Sequence, residues 1–295
     1  MLWTPPCASH SQKFPGIVLC HGWGGIRNHL DVRYASKFAA QGFKCLTFDY
    51  AGWGDSDGRV VSCGEDHNVQ NCAREQDFTD QVPQESTIRV RVVRQTVDMM
   101  WQVEDIDAAV SFLSSEPNVT RVGIWGTSQG GGHVLWHTAR DDRVAAVVSQ
   151  VPSMGRRGAG EPAKTLGQSS REAAAKAARS PVPWYPAGAR EHHLPAMDGA
   201  PILRKAYEYD PISVVGAIRV PTLIIDVDKE ELWDRLDNGK RAFDIISANG
   251  VSAKYALIAN ANHYDAYDKD AELSRKLAID FFKANLSGGE HVAKL

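Results

Sequence analysis

One stretch carries residue types and spacing suited to chemistry. Gly126-Thr127-Ser128-Gln129-Gly130 reads G-x-S-x-G, and Gly131 and Gly132 extend it. The apolar run Val122–Trp125 comes before it, and a helix-compatible stretch, His133–His137, comes after. Strand, sharp turn and helix is the setting that lifts a serine off a sheet edge as a nucleophile. Side chains beside such a serine would collide with the strand or the helix, so glycines flank it. The Gln129 N–H then sits at a helix start, where the dipole favours a developing oxyanion. A serine hydroxyl is a weak nucleophile near neutral pH and needs a base. His263 follows the last apolar strand of the chain and is the natural candidate. An acid must hold the imidazole in one tautomer. Asp226, Asp228, Glu230 and Glu231 all lie near enough in sequence, and the order serine, acid, histidine is kept with any of them.

These residues need elements to hold them. Pro15–Cys20 is a continuous apolar run, as in a strand buried on both faces, and it ends in His21-Gly22-Trp23-Gly24-Gly25. In hydrolases such a loop supplies a second oxyanion donor, here the Trp23 N–H, while a simple strand-to-helix turn would need the same glycines. A helix is expected from Leu30 to Ala40, closed by Gly42. A strand follows from Phe43 to Tyr50. Arg59 to about Ser86 is polar and aperiodic and reads as a long loop. Helical spacing runs from Val93 to Leu113. Val144–Val151, Val220–Ile225 and Ala253–Ala259 read as further strands. Helices are expected at about 238–248 and after His263. Buried strands alternating with amphipathic helices specify an α/β fold with a mostly parallel sheet flanked by helices. The pattern breaks between 153 and 217. The expected division is therefore a core of residues 1–152 and 218–295, with 153–217 inserted as a cap. Trp184, Tyr185, His192 and Met197 in that insertion are the candidate substrate-pocket residues.

The chain resembles the α/β-hydrolase superfamily, most closely its dienelactone-hydrolase-like and acyl-esterase branch. The resemblance rests on His21–Gly25, Gly126–Gly130 and the late His263, and it covers nearly everything outside the cap and the polar loop. Laying Pro221-Thr222-Leu223-Ile224-Ile225 on the family pattern puts the acid at Glu230, with Asp228 as the alternative acid. The chain departs from the pattern here, because the usual small residue after the strand is missing and the acid is Glu. Little chain precedes the His-Gly strand where a hairpin is usual, which leaves a homodimer open through an uncovered edge. The resemblance implies a catalytic triad of Ser128, Glu230 and His263, with Trp23 and Gln129 forming the oxyanion hole. It implies a serine hydrolase acting on a small carboxylic ester, lactone or thioester without a cofactor. Acyl transfer, amide or C–C bond cleavage on the same triad, and a non-catalytic small-molecule receptor are the other readings.

Composition narrows the classes. The chain has 295 residues, 43% of them hydrophobic, enough for one large domain with an insertion. A net charge of -3 gives no footprint for nucleic acid or an anionic membrane surface. No apolar run is long enough to span a bilayer, and Met1–Pro6 lacks signal-peptide character, so a cytoplasmic protein is expected. The five cysteines lack metal-type spacing. His133 and His137 stand four apart without the glutamate of a zinc-protease motif, so both read as packing or surface histidines and no metal is expected.

Overall fold

The computed structural model describes residues 1–6, 11–62, 90–94, 96–155, 200–201 and 209–286. In chain order the strands begin with β1 (Leu2–Trp3) and β2 (Phe14–Cys20). A helical stretch follows, built from α1 (Asn28–Leu30), a π-helical turn (Asp31–Ala35) and α2 (Ser36–Ala39). Then come β3 (Lys44–Thr47), β4 (Arg59–Ser62), β5 (Val90–Val93), β6 (Thr96–Val97) and α3 (Met99–Ser115). The centre of the chain supplies β7 (Val119–Thr127), α4 (Gln129–Thr138), β8 (Val144–Gln150) and the short β9 (Ala200–Pro201). β10 (Thr222–Lys229), α5 (Gly239–Ala248), β11 (Ala253–Asn262) and α6 (Ala271–Leu286) complete it.

The main sheet has seven strands in the order β1-β3-β2-β7-β8-β10-β11. Only β1 runs antiparallel, pairing Leu2 with Leu46 and Trp3 with Cys45. The other neighbours are parallel, as the alternation of strands and helices dictates. Parallel strands are covered on both faces, and alternate side chains of β2 separate accordingly. Val18 and Cys20 join one buried cluster with Ile106, Val110 and Leu113 of α3, Leu135 of α4 and Ile246 of α5. Ile17 and Leu19 join the other with Tyr34, Phe38 and, from α6, Phe281 and Phe282. Cys20 and Cys45 are buried free thiols. No described helix is long and apolar enough to cross a membrane.

Two stretches differ from the sequence reading. Arg59–Ser62 is not loop but β4, paired antiparallel with β5. The helix expected from Val93 starts instead at Met99, because Val90–Val93 and Thr96–Val97 are extended. Those segments are rich in β-branched valine and threonine, which suit a strand better than a first helical turn. Asp98 then caps α3, its carboxylate accepting the N–H groups of Met100 and Trp101 at 3.1 Å each. Within the span read as a cap, 156–199 and 202–208 lie outside the described residues, and with them Trp184, Tyr185, His192 and Met197. Tyr209, Ile212 and Val215 are buried in the cluster that also holds α4.

A helix start without its cap leaves backbone donors unmet. Asp98→Ala is therefore expected to lower unfolding stability by about 1 kcal/mol or more in urea titrations, without changing the fold.

Candidate active site

Ser128 stands between β7 and α4 with φ 56° and ψ -124°. Few side-chain-bearing residues adopt that backbone, and its presence marks stored strain. Backbone bonds hold it, among them a Gly132 N–H donated to its carbonyl at 3.3 Å. The Ser128 N–H donates to the Gln150 carbonyl at 2.9 Å, and its carbonyl accepts from the N–H groups of Gly131 and Ser153 at 2.9 Å each. The neighbouring glycines answer to space. A Cβ on Gly126 would overlap the Gly130 carbonyl, one on Gly130 the carbonyls of Cys20 and His21, and one on Gly132 the Ser153 carbonyl. The start of α4 thus lies against the end of β2, and the loop after β2 passes close to the serine. A Cβ on Gly22 would come within 2.9 Å of Ser128 Cβ.

Trp23 follows in that loop, half-buried and packed on the core, with its indole N–H buried and unpartnered. Gln129 is the first residue of α4, so its N–H has no carbonyl to meet within the helix. Its side chain is buried beneath the turn. Nε2 meets Gln102 Oε1 at 2.8 Å and His133 Nε2 at 3.2 Å, and His133 Nδ1 meets the Tyr209 hydroxyl at 2.7 Å. Burial pushes the His133 imidazole down to about 3, and that of His21 to about 4. Both are therefore neutral members of the packing around the turn.

His263 comes from the end of β11 and is 1% exposed. Its Nδ1 lies 2.7 Å from Glu230 Oε2, and its backbone N–H donates to Glu231 Oε2 at 2.9 Å. The other Glu230 oxygen accepts the Leu232 N–H at 3.0 Å. The ring packs edge-on against Trp233, with centroids 4.8 Å apart, and tilted against Tyr267 at 5.8 Å. Tyr267 joins the two halves of the site. Its hydroxyl meets Thr127 Oγ1 at 2.7 Å, and its ring meets that of His263. Tyr267 had no signature in the sequence beyond its closeness to His263, and Glu231, one of the four candidate acids, meets the His263 backbone rather than its ring.

The two candidate acids separate clearly. The pairing of β10 with β11 slips between Val227 and Lys229, because Val227 faces Ile258 while Lys229 faces Asn262. Asp228, exposed, spans this bulge by accepting the Ala261 N–H at 3.1 Å. The bulge re-aims the side chains beyond it, as bulges beside sites often do, and Glu230 is the carboxylate that reaches the imidazole. Asp226 lies further down β10, fully buried, with Oδ2 accepting the Tyr255 hydroxyl at 2.9 Å and Oδ1 unpartnered. Burial, with the Glu230 charge adding to it, pushes its carboxyl up to about 7.

Among the described residues, one group could offer three ligand atoms to a metal: Asp107, His137 and Asp141. The Arg143 guanidinium already bridges both carboxylates at 2.6 Å. A cation's place is therefore filled by the chain itself, and His137 pairs with Asp141 at 2.8 Å.

Residues 15–199 match the family model of the alpha/beta hydrolase fold. The quorum-quenching protein AidA of Acinetobacter baumannii is 38% identical over 142 residues, which cover 47% of this chain and 35% of that protein. The chain thus aligns with about a third of that relative's length. An uncharacterized 31.7 kDa Escherichia coli protein from the traX-finO intergenic region is 28% identical over 93% of this chain and 92% of its own. Among solved structures, DcsB in complex with its substrate analogue superposes with a TM-score of 0.69 at 18% identity, over 94% of this chain and 92% of that one.

The buried Asp226 carboxyl makes stability depend on pH. Its folded pKa lies above the unfolded value of 3.8, so the folded state holds the extra proton between the two. The contribution is full below the unfolded pKa and is lost as pH rises through about 7. Asp226→Asn keeps an acceptor for Tyr255 and removes the charge. Its stability relative to the parent, from urea midpoints, is expected to rise between about pH 4 and about pH 7 and then level off.

Proposed function

The chain belongs to the α/β-hydrolase fold family, and on that premise we propose that it is a serine hydrolase that cleaves a carboxylic ester, lactone or thioester through an acyl-enzyme on Ser128. The observation that carries the reading is the buried Glu230–His263 pair at 2.7 Å, at the same sheet's strand ends as a serine in a strained turn. An imidazole whose Nδ1 proton is held by a carboxylate presents Nε2 as a base. His263 takes the Ser128 proton as Oγ attacks the carbonyl carbon. The N–H groups of Trp23 and Gln129 hold the oxygen on which negative charge develops. The alcohol or thiol leaves with the proton from His263, and a water activated by the same imidazole releases the acid. Glu230 orients the ring and steadies its positive charge. The name of the quorum-quenching relative adds small signalling molecules to the esters worth screening.

The test uses p-nitrophenyl esters of graded chain length. The expected result is a burst of p-nitrophenolate that is absent in Ser128→Ala. Glu230→Gln is expected to lower kcat by about a thousandfold or more while the protein stays folded. Asp228→Asn is expected to leave it within about twofold, since a surface carboxylate off the imidazole contributes little. Full activity in Glu230→Gln would overturn the assigned acid, and a burst in Ser128→Ala would overturn the nucleophile.

A further inference from the structure

The chain leaves β8 through a second strained residue. Val151 is fully buried with φ 37°, a region that β-branched side chains avoid. Such a conformation persists only where the surroundings hold it. The Val151 N–H donates to the Ile225 carbonyl at 2.6 Å, and the Ser153 N–H to the Ser128 carbonyl at 2.9 Å. The Met154 N–H donates to Asn238 Oδ1 at 2.7 Å. Of these acceptors, only the last is a side chain. The orientation of that amide is settled by its partners. Oδ1 faces a backbone N–H, which can only donate, and Nδ2 faces the Asp234 carbonyl at 2.8 Å, which can only accept. Gly239 packs on the same stretch, since a Cβ there would stand 3.1 Å from Pro152 Cγ. Asn238 and Gly239 thus clamp residues 152–154 from the end of the loop that begins at Glu230.

The Ser128 carbonyl lies in the same peptide plane as the Gln129 N–H. In a trans peptide the two point in opposite directions, so whatever turns the carbonyl turns the N–H with it. Gly131 and Gly132 reach that carbonyl from within α4 and move with the helix, whereas Ser153 reaches it from outside. We propose that Asn238 is a positioning residue for the oxyanion hole: through Met154 it holds Ser153 against the Ser128 carbonyl and so aims the Gln129 N–H. The proposal rests on the acyl-enzyme reading above. Among the described residues, the bonds of Asn238 go to Met154, Asp234, Arg235 and Ala242, and none goes to Glu230 or His263. Its effect therefore falls on the oxyanion donor and leaves the base alone. A carbonyl oxygen gains charge on the way to the tetrahedral intermediate, so the aim of a donor matters more there than in the bound ester. Acylation and deacylation both pass through such an intermediate and are slowed together.

The experiment is steady-state kinetics of Asn238→Ala on a p-nitrophenyl ester across pH, with butylboronic acid as inhibitor. The boron accepts Ser128 Oγ and becomes a tetrahedral anion, so it reports on the oxyanion site without turnover. Expected is a fall of kcat by about tenfold with KM within about twofold of the parent. Boronate affinity is expected to fall by the same factor, and the pH midpoint of kcat/KM to stay where it is in the parent. Asn238→Asp keeps an acceptor for Met154 and is expected to recover at least about a third of the parent kcat. An unchanged kcat in Asn238→Ala overturns the proposal. So does a boronate affinity that holds at the parent value while kcat falls, the signature of a purely structural loss. A shifted pH midpoint overturns it too, because the effect would then lie on the Glu230–His263 pair. Should Asn238→Ala not fold, Asn238→Ser, whose side chain is too short to reach Met154, decides by the same criteria. A boronate that binds Ser128→Ala as tightly as the parent would sink the acyl-enzyme reading itself, an outcome separate from any seen in Asn238→Ala.

Discussion

The arrangement depends on keeping Ser128 at a positive φ. A non-glycine residue there costs on the order of 1–3 kcal/mol, and it persists only where the surroundings leave no alternative. The surroundings here are backbone rather than side chain. α4 starts so close to the ends of β2 and β8 that the carbonyls of Cys20, His21 and Ser153 occupy the space where Cβ atoms would stand on Gly130 and Gly132. The strain is offset by the buried clusters on the two sheet faces, to which β2, β7 and α4 all contribute. Close approach also brings the Trp23 loop beside the serine without further design. The tightness of one turn therefore sets the positions of both the nucleophile and the loop next to it.

Electrostatics is handled by different means on the two sides of the site. On the His263 side, a carboxylate is buried against an imidazole and each has further partners, Leu232 for Glu230 and Glu231 for the His263 backbone. Burying such a pair costs little only when its remaining donors and acceptors are met. On the serine side the polar groups are neutral. Gln129, Gln102, His133 and Tyr209 form a buried network under the start of α4, and Gln150, Thr127 and Tyr267 form another behind it. Connected polar networks of this kind hold a geometry firmly, because every broken bond leaves a buried group unsatisfied. Asp226 is buried with one oxygen unmet, and burial raises its carboxyl above the usual carboxylate range.

Much was legible from residue types alone. Continuous apolar runs of about six residues mark the strands of a parallel sheet, since such strands are buried on both faces. The glycines around Ser128 mark a turn that no other residue could make. The order of serine, acids and histidine came from the same reading. β4 and β5 were less legible, because a valine-rich ribbon next to a helix carries both periodicities at once.

Residue types could not specify which of several equivalent groups meet. Asp226, Asp228, Glu230 and Glu231 are interchangeable as chemistry, and periodicity places Asp226, Asp228 and Glu230 on one face of an ideal strand. The slip in the β10–β11 register breaks that equivalence. It occupies Asp228 with a backbone amide, leaves Asp226 buried deeper in the sheet and turns Glu230 to His263. Tyr267 was hidden for a related reason. A tyrosine four residues after a histidine says nothing until the turn after β11 brings its hydroxyl to Thr127. Strand and turn identity are local properties of the chain, encoded in spacing and side-chain volume. The meeting of a carboxylate with an imidazole, or a phenol with a threonine hydroxyl, depends on register between strands that are far apart in sequence, and register is settled by packing of the whole sheet.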